Sequence, residues 1–125
     1  MPFKTKTMKK LLFLLLFLLT AFISSAQTIN CKNNDICVVE FNAGWNEANG
    51  VSWLEKLTDC GIKYIKIDSE EGKLLQTKFK IVVVPTIIVF NGEEVERFQA
   101  DLSFKMAATV EEVQGVIDET LMDAF

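Results

Sequence analysis

Three cysteines are the side chains of this chain that can take part in the widest range of reactions. They are Cys31, Cys37 and Cys60. The 125 residues contain no histidine, which excludes Ser–His and Cys–His nucleophile pairs and removes the commonest metal ligand. Three thiols with scattered carboxylates are a poor metal set, and no glycine-rich phosphate loop occurs. We therefore predict no metal site and no cofactor, and either thiol chemistry or a structural disulfide.

The first 26 residues have the three-part pattern of a secretory signal peptide. Four lysines precede an apolar run over residues 11–23, and Ser24-Ser25-Ala26 supplies the small residues of a cleavage site. The apolar run has about 13 residues, whereas a membrane span needs about 20. We expect cleavage after Ala26, export to the periplasm or the medium, and no membrane contact afterwards.

The expected mature part, residues 27–125, is acidic. It keeps all seventeen acidic residues of the chain but only nine basic ones, because four lysines belong to the leader. Nucleic-acid-binding proteins need a clustered basic face, which is absent from this sequence. We therefore exclude nucleic acid as a partner and expect one domain with a single modest core. The sequence leaves the oligomeric state open.

Apolar β-branched runs alternate with segments of helical periodicity. Strands separated by helices favour parallel pairing with helices on both faces of the sheet. Asn91-Gly92 is a signal for a two-residue hairpin turn, which adds an antiparallel edge. The prediction is an α/β fold with the order β-α-β-α-β-β-α and a mixed four-stranded sheet. The predicted strands cover 36–42, 62–67, 86–90 and 93–98, and the predicted helices cover 47–60, 69–78 and 110–122.

This order, together with several short motifs, resembles the thioredoxin family. The motifs are V-V-E-F-N-A-G-W at 38–45, Y-I-K-I-D at 64–68 and F-K-I-V-V-V-P-T at 79–86. The resemblance covers about residues 36–98 and extends to the last helix. It implies the minimal thioredoxin fold, with Trp45 just before the active-site loop and Pro85 as the family's cis-proline.

The active-site loop departs from the family pattern. A redox-active member has C-x-x-C after the tryptophan, whereas this chain has Asn46-Glu47-Ala48-Asn49. The reaction needs a low-pKa thiolate and a second thiol that resolves the mixed disulfide, and an asparagine amide can supply neither. We expect no catalytic residue here, and we expect Asn46 and Asn49 to cap the following helix, since asparagine is a good N-cap.

Glu40 matches the buried acid that lies beneath the active site in this family. A carboxyl group inside such a strand should be desolvated and have a raised pKa. Without a cysteine to serve, its catalytic interpretation weakens. We expect a hydrogen bond to Lys66 or to an asparagine of the loop, or simple exposure near the end of the strand.

The resemblance also implies a binding surface that needs no thiol. Trp45, Val84, Pro85 and Thr86 would form it, and an extended peptide would pair with the backbone of Val84. The competing interpretation is that Pro85 persists only because the fold requires it.

The three cysteines are expected to gather at the pole opposite the active-site loop. This proximity favours one structural disulfide with one free thiol. The pairs Cys37–Cys60, Cys31–Cys60 and Cys31–Cys37 all remain possible. The leading hypothesis is an exported, redox-inactive protein that binds a peptide or a partner protein. The alternatives are an atypical thiol-disulfide oxidoreductase that uses these cysteines and an accessory subunit whose partner completes the chemistry.

Overall fold

A computed structural model describes residues 29–124 of the chain. The expected signal peptide and its cleavage site lie outside these residues. Within the part that is described, no helix is both long enough and apolar enough to cross a membrane.

Four strands form one mixed sheet. They are β1 (Cys37–Asn42), β2 (Gly61–Lys66), β3 (Thr86–Asn91) and β4 (Glu93–Gln99), in the spatial order β2-β1-β3-β4. The β1–β2 pair is parallel, whereas the β1–β3 and β3–β4 pairs are antiparallel. All six residues of β1 are buried, as expected for a central strand covered on both faces.

The β3–β4 hairpin closes more tightly than predicted. Asn91 pairs with Glu93, so Gly92 alone forms the tip, with φ of 77°. The register shifts between Val89 and Phe90, which places an irregularity one step before the turn. The predicted two-residue turn with positive φ at both central residues is therefore wrong, because the bulge takes up the extra residue.

Two α-helices follow the predicted pattern closely. They are α1 (Glu70–Phe79) and α2 (Val110–Asp123). Ser69 caps α1 and Thr109 caps α2, each accepting the backbone N–H three residues further on, at 2.9 and 3.2 Å. These caps satisfy N–H groups that have no partner within the helix, so the local sequence sets where both helices begin.

The predicted first helix over 47–60 is wrong. This part of the chain forms two short 3-10 helices, Gly44–Asn49 and Leu54–Lys56. The backbone N–H of Val51 donates to the Glu40 carboxylate at 3.1 Å instead of to a carbonyl one turn back. This long-range hydrogen bond takes the donor that a continuous helix would need at that position.

The core has one apolar layer on each face of the sheet. On the α1 side, the ring centroid of Phe79 lies 6.1 Å from that of Phe41 and 5.2 Å from that of Phe90. On the α2 side, Val113 and Ile117 are fully buried against the sheet. Because side chains alternate along a strand, the central strands supply both layers and hold the loop that follows β1 in place.

Candidate functional site around the Asn46 loop

Asn46 lies at the centre of a buried hydrogen-bond network at the end of β1. Its side chain is 4% exposed. The amide nitrogen lies 3.1 Å from Asn42 Oδ1, 3.3 Å from the Val84 carbonyl oxygen and 3.1 Å from the Phe104 carbonyl oxygen. Its Oδ1 accepts the Asn49 amide at 2.8 Å. Two amide protons serve three acceptors, so this side chain joins three separate parts of the chain at one point.

Neither asparagine acts as the expected helix cap. Ala43 stands at the N-cap position of the first 3-10 helix, and no side chain caps it. Asn46 adopts φ of −112° and ψ of 16° inside that helix, which is not helical. The capping prediction for Asn46 and Asn49 is therefore wrong, because both amides bond to each other and to tertiary partners instead.

The backbone carbonyls beside the loop already have partners within the chain. Those of residues 83–85 accept, in order, the Thr86 hydroxyl at 2.7 Å, the Asn46 amide at 3.3 Å and the Ala100 N–H at 3.0 Å. The peptide bond before Pro85 is cis. An extended peptide that pairs with the Val84 carbonyl therefore has to compete with the Asn46 amide.

The four residues predicted to form the binding surface divide by exposure. Trp45 is 68% exposed, whereas Val84, Pro85 and Thr86 are buried. The carbonyl oxygen of Val84 accepts the Asn46 amide, but none of these three residues presents its side chain to solvent. Trp45 is thus the member of the set that presents an apolar side chain to solvent.

Two exposed apolar residues of the loop after β4 were not predicted from the sequence, and one of them contacts Trp45. The Phe104 ring packs edge-on against Trp45 at a centroid distance of 5.3 Å and is 43% exposed. Leu102, in the same loop, is fully exposed. The loop carries no motif, and Leu102 and Phe104 do not stand out from the other apolar residues of the connection, Met106, Ala107 and Ala108. We refer to Trp45 and Phe104 together as the Trp45 surface.

The loop that carries Phe104 is ordered by one carboxylate. Asp101 Oδ1 accepts the Ser103 N–H at 2.8 Å, the Ser103 hydroxyl at 2.6 Å and the Lys105 N–H at 3.2 Å. The side-chain hydrogen bond from Ser103, followed by those from the Lys105 and Ser103 backbones, lowers the pKa of Asp101. The loop therefore has a defined shape and holds Phe104, with φ of 62°, against Trp45.

Glu40 is buried, as expected, but its partners differ from the prediction. The side chain is 5% exposed, and Oε2 accepts the Val51 N–H at 3.1 Å. Burial raises the pKa of this carboxyl, while hydrogen bonds from Val51 and Asn42 act in the opposite direction. Lys66 pairs with the exposed Glu47 at 3.8 Å instead. The expected bond to Lys66 or to a loop asparagine is therefore wrong.

The cysteines lie far from the Asn46 loop. Cys31 and Cys37 form a disulfide, with their Cα atoms 5.2 Å apart, and Cys60 is free. Because β1 runs from Cys37 to the loop over six residues at about 3.3 Å each, the disulfide is on the order of 17 Å from the Asn46 loop. This decides the pairing that the sequence left open, and the six-residue separation differs from C-x-x-C.

The free thiol and the disulfide lie on opposite faces of the sheet. Cys31 and Cys37 pack with the α1-side layer, whereas Cys60 packs with the α2-side layer. Burial, with a smaller contribution from the charge of Asp59, raises the pKa of the Cys60 thiol. A raised pKa leaves less of the nucleophilic thiolate at neutral pH. Within residues 29–124, no cluster of three or more potential metal ligands occurs.

Solved structures with a similar fold include thioredoxins. The chain is similar to a mutant thioredoxin from Halobacterium salinarum, with 24% identity and a TM-score of 0.53 over 70% of this chain and 75% of that one. It is also similar to Schistosoma mansoni thioredoxin, with 23% identity and a TM-score of 0.52 over 70% and 79%. A designed protein matches with 17% identity and a TM-score of 0.51 over 78% and 86%.

These similarities establish the fold and leave the activity open. No known protein-family profile matches the chain. No curated protein matches it either. The chain has a thioredoxin-like α/β fold, which confirms the predicted fold class, and it carries a disulfide between cysteines outside the C-x-x-C position.

Proposed function

We propose that this protein is an exported, redox-inactive thioredoxin-fold protein that binds a peptide or a partner protein through the Trp45 surface. One observation carries the proposal. The buried amide of Asn46 stands where the resemblance places the nucleophilic cysteine, while the neighbouring Trp45 is 68% exposed. The loop has kept an apolar contact surface without the thiols of the reaction.

The arrangement of the remaining cysteines favours this proposal over an atypical oxidoreductase. A dithiol enzyme needs a reactive thiolate next to a resolving thiol. Cys60 has a raised pKa and packs on the sheet face opposite to the Cys31–Cys37 disulfide. A disulfide that closes a short loop at the start of β1 is most simply a structural cross-link.

Binding is supported by the exposed aromatic side chains. Tryptophan is enriched among residues that dominate interface energies, because one rigid side chain buries a large apolar area. The Phe104 ring packs edge-on against the Trp45 ring, and Leu102, two positions before Phe104 in the same loop, is fully exposed. Since the carbonyls of residues 83–85 have internal partners, we propose that side-chain contacts, more than strand addition, hold the partner.

Export is supported by the leader pattern and by the disulfide. Disulfides persist in oxidising compartments outside the cytoplasm. The Cys31–Cys37 bond is compatible with such a compartment.

The redox part of the proposal is tested by an insulin-reduction assay with dithiothreitol as the reductant. We expect no turnover above the uncatalysed rate. The positive control is the double variant N46C/N49C, because these side chains contact each other at 2.8 Å and would place two thiols together. Clear turnover by the unmodified protein would contradict the proposal, and loss of that turnover in C60S would identify the alternative.

The binding part is tested by quantitative co-purification from the protein's own extracellular or periplasmic fraction. We expect the unmodified protein and L74A to retain a defined partner. W45A should bind that partner with an affinity about tenfold or more lower. Leu74 is a matched control, because it is an apolar side chain, 75% exposed, on helix α1. Equal retention by W45A and L74A would remove the Trp45 surface from the proposal.

A further inference from the structure

A cavity of about 230 Å³ lies beside the Asn46 loop, and no residue of the Trp45 surface lines it. It is formed by the ends of β1 and β2 and by the first 3-10 helix. Most of its wall is apolar, with Ala43, Val51 and Ile65 among the lining residues. Nothing in the proposed function uses this cavity.

The carboxyl group of Glu40 and the amide group of Asn42 are buried polar groups that line the cavity. Glu40 Oε2 is held by the Val51 N–H at 3.1 Å. A Cβ atom placed on Gly50 would lie 3.6 Å from Glu40 Oε1 and 3.8 Å from Asn42 Nδ2. Because residue 50 is a glycine, no side chain of that residue covers Oε1, and the Asn42 amide also hydrogen-bonds this carboxyl group.

Glu40 has no counter-ion within the part of the chain that the structure describes. Lys66 also lines the cavity, but it pairs with Glu47 at 3.8 Å. Their side chains are 60% and 75% exposed, which places the pair at the mouth of the cavity. A cation that pairs with a buried carboxylate stabilises its ionised form, so ionised Glu40 favours a cation in this cavity.

We propose that this cavity binds an organic cation, an ammonium group on a short apolar stem, with Glu40 as its counter-ion. The apolar wall receives the methylene stem and the carboxylate receives the charged head, as in the packing of lysine side chains on proteins. The excess of seventeen acidic over nine basic residues in this part of the chain attracts such a cation. A free small amine and a lysine of a partner protein both carry this chemistry.

The proposed site has a definite pH dependence. Burial raises the pKa of Glu40, and pairing with a cation requires the ionised form, so affinity rises with pH through this pKa and is lost below it. The other groups facing the cavity are Glu47 and Lys66, which pair with each other, and Tyr64. Burial and the hydrogen bond to Glu55 raise the pKa of Tyr64 to about 12, so it stays neutral.

The test is a titration of ¹⁵N-labelled protein, expressed from the full-length sequence, with n-butylammonium chloride at constant ionic strength. We expect saturable shifts of the amide signals of Ala43, Val51 and Tyr64 at pH 8. The neutral analogue n-butanol should bind at least about tenfold more weakly, and so should n-butylammonium to the E40Q variant. Equal binding of n-butanol, equal binding to E40Q, or no saturable shift would overturn the proposal.

A second measurement uses the unmodified protein alone, in case E40Q does not fold. The ¹³C signal of the Glu40 carboxyl should titrate at lower pH in the presence of n-butylammonium, because the bound cation favours the ionised form. An unchanged titration would overturn the proposal. N-acetyl-lysine amide distinguishes the sources, since tighter binding than n-butylammonium indicates a partner's lysine and weaker binding indicates a free amine. None of these outcomes depends on the Trp45 surface.

Discussion

At the residue scale, Asn46 joins parts of the chain that are distant in sequence. Its amide reaches the carbonyl of Val84, 38 positions away, and that of Phe104, 58 positions away. A cysteine at this position would leave both acceptors with a weak donor at best. The residue at the position where the resemblance places the nucleophile therefore ties the loop at Phe104 to the sheet.

The first prediction concerns the stability that Asn46 provides. In N46A the carbonyls of Val84 and Phe104 lose their buried donor, and we expect a loss of about 1–3 kcal/mol in the free energy of unfolding. Urea denaturation followed by far-UV circular dichroism measures it as a lower midpoint at unchanged slope. N49A is the matched control, because Asn49 is half-buried and its amide makes one bond, to Asn46. Equal losses in the two variants would contradict the assigned role.

The second prediction concerns Glu40 and pH. Burial raises its folded-state pKa above the reference value of 4.5. Its contribution to stability is therefore fully present below pH 4.5 and is lost as pH rises through the folded pKa, by about 1.4 kcal/mol for each unit of difference. We expect E40Q to gain stability relative to the unmodified protein between pH 4 and pH 8 in thermal unfolding. Equal gains in E40Q and in E47Q, a substitution at the exposed Glu47, would contradict the assignment to Glu40.

At the scale of elements, two glycines in helices have opposite packing environments. A Cβ atom at Gly72, in the first turn of α1, would overlap the backbone carbonyl of Lys66 at the end of β2. A Cβ atom at Gly115, in α2, would meet nothing within 4 Å. Close approach of helix to strand requires the first glycine, whereas the second only weakens its helix.

The third prediction follows from this contrast. G115A should stabilise the protein by about 0.8–1 kcal/mol, the helix-propensity difference between glycine and alanine. G72A should destabilise it by more than about 1 kcal/mol, because α1 has to move away from β2. Chemical denaturation of both variants under one set of conditions measures whether each substitution raises or lowers the free energy of unfolding. A gain in G72A would show that α1 is not fixed by this contact.

The fourth prediction concerns the disulfide at the start of β1. Cys31 and Cys37 are six positions apart, and closing so short a loop contributes about 2 kcal/mol in the chain-entropy account. We expect C31S/C37S to lose about this amount in guanidinium denaturation. C60S should lose less, because Cys60 is only partly buried and bonded to no other cysteine. If C60S is the more damaging change, the free thiol carries the larger structural role.

At the scale of the whole molecule, negative charge dominates the surface. Residues 29–124 contain all seventeen acidic residues but nine of the thirteen basic ones. Three glutamates, Glu93, Glu94 and Glu96, lie on the edge strand β4. Charge on an exposed edge strand opposes pairing with another chain. The glutamates that make the net charge more negative therefore also protect the sheet from edge-to-edge association.

The fifth prediction concerns the salt dependence that this charge implies. Added potassium chloride should raise the melting temperature, because it screens repulsion among the acidic side chains. The variant E93K/E96K reduces the net negative charge by four and should show a smaller rise. Differential scanning calorimetry at low and high salt measures both. An equal rise in the two proteins would assign the effect to general salting-out.

The sequence by itself determined the features that depend on neighbours along the chain. The positions of β1 and β3 followed from apolar runs. Ser69 and Thr109 set the starts of α1 and α2, because a cap acts within three residues. The loss of C-x-x-C is visible directly in the sequence. The burial of Glu40 followed from its place in an apolar strand. The interactions behind these features act between residues that are close in sequence, so a local sequence pattern is enough to predict them.

Only the tertiary structure decided the features that depend on contacts between distant segments. The Glu40–Val51 bond, across eleven positions, replaced a predicted helix with two short 3-10 helices. The disulfide pairing, the Asn46 network and the meeting of Trp45 with Phe104 depend on which segments the folded sheet brings together. The free energy of each contact is gained only after chain closure, so no local pattern in the sequence specifies it.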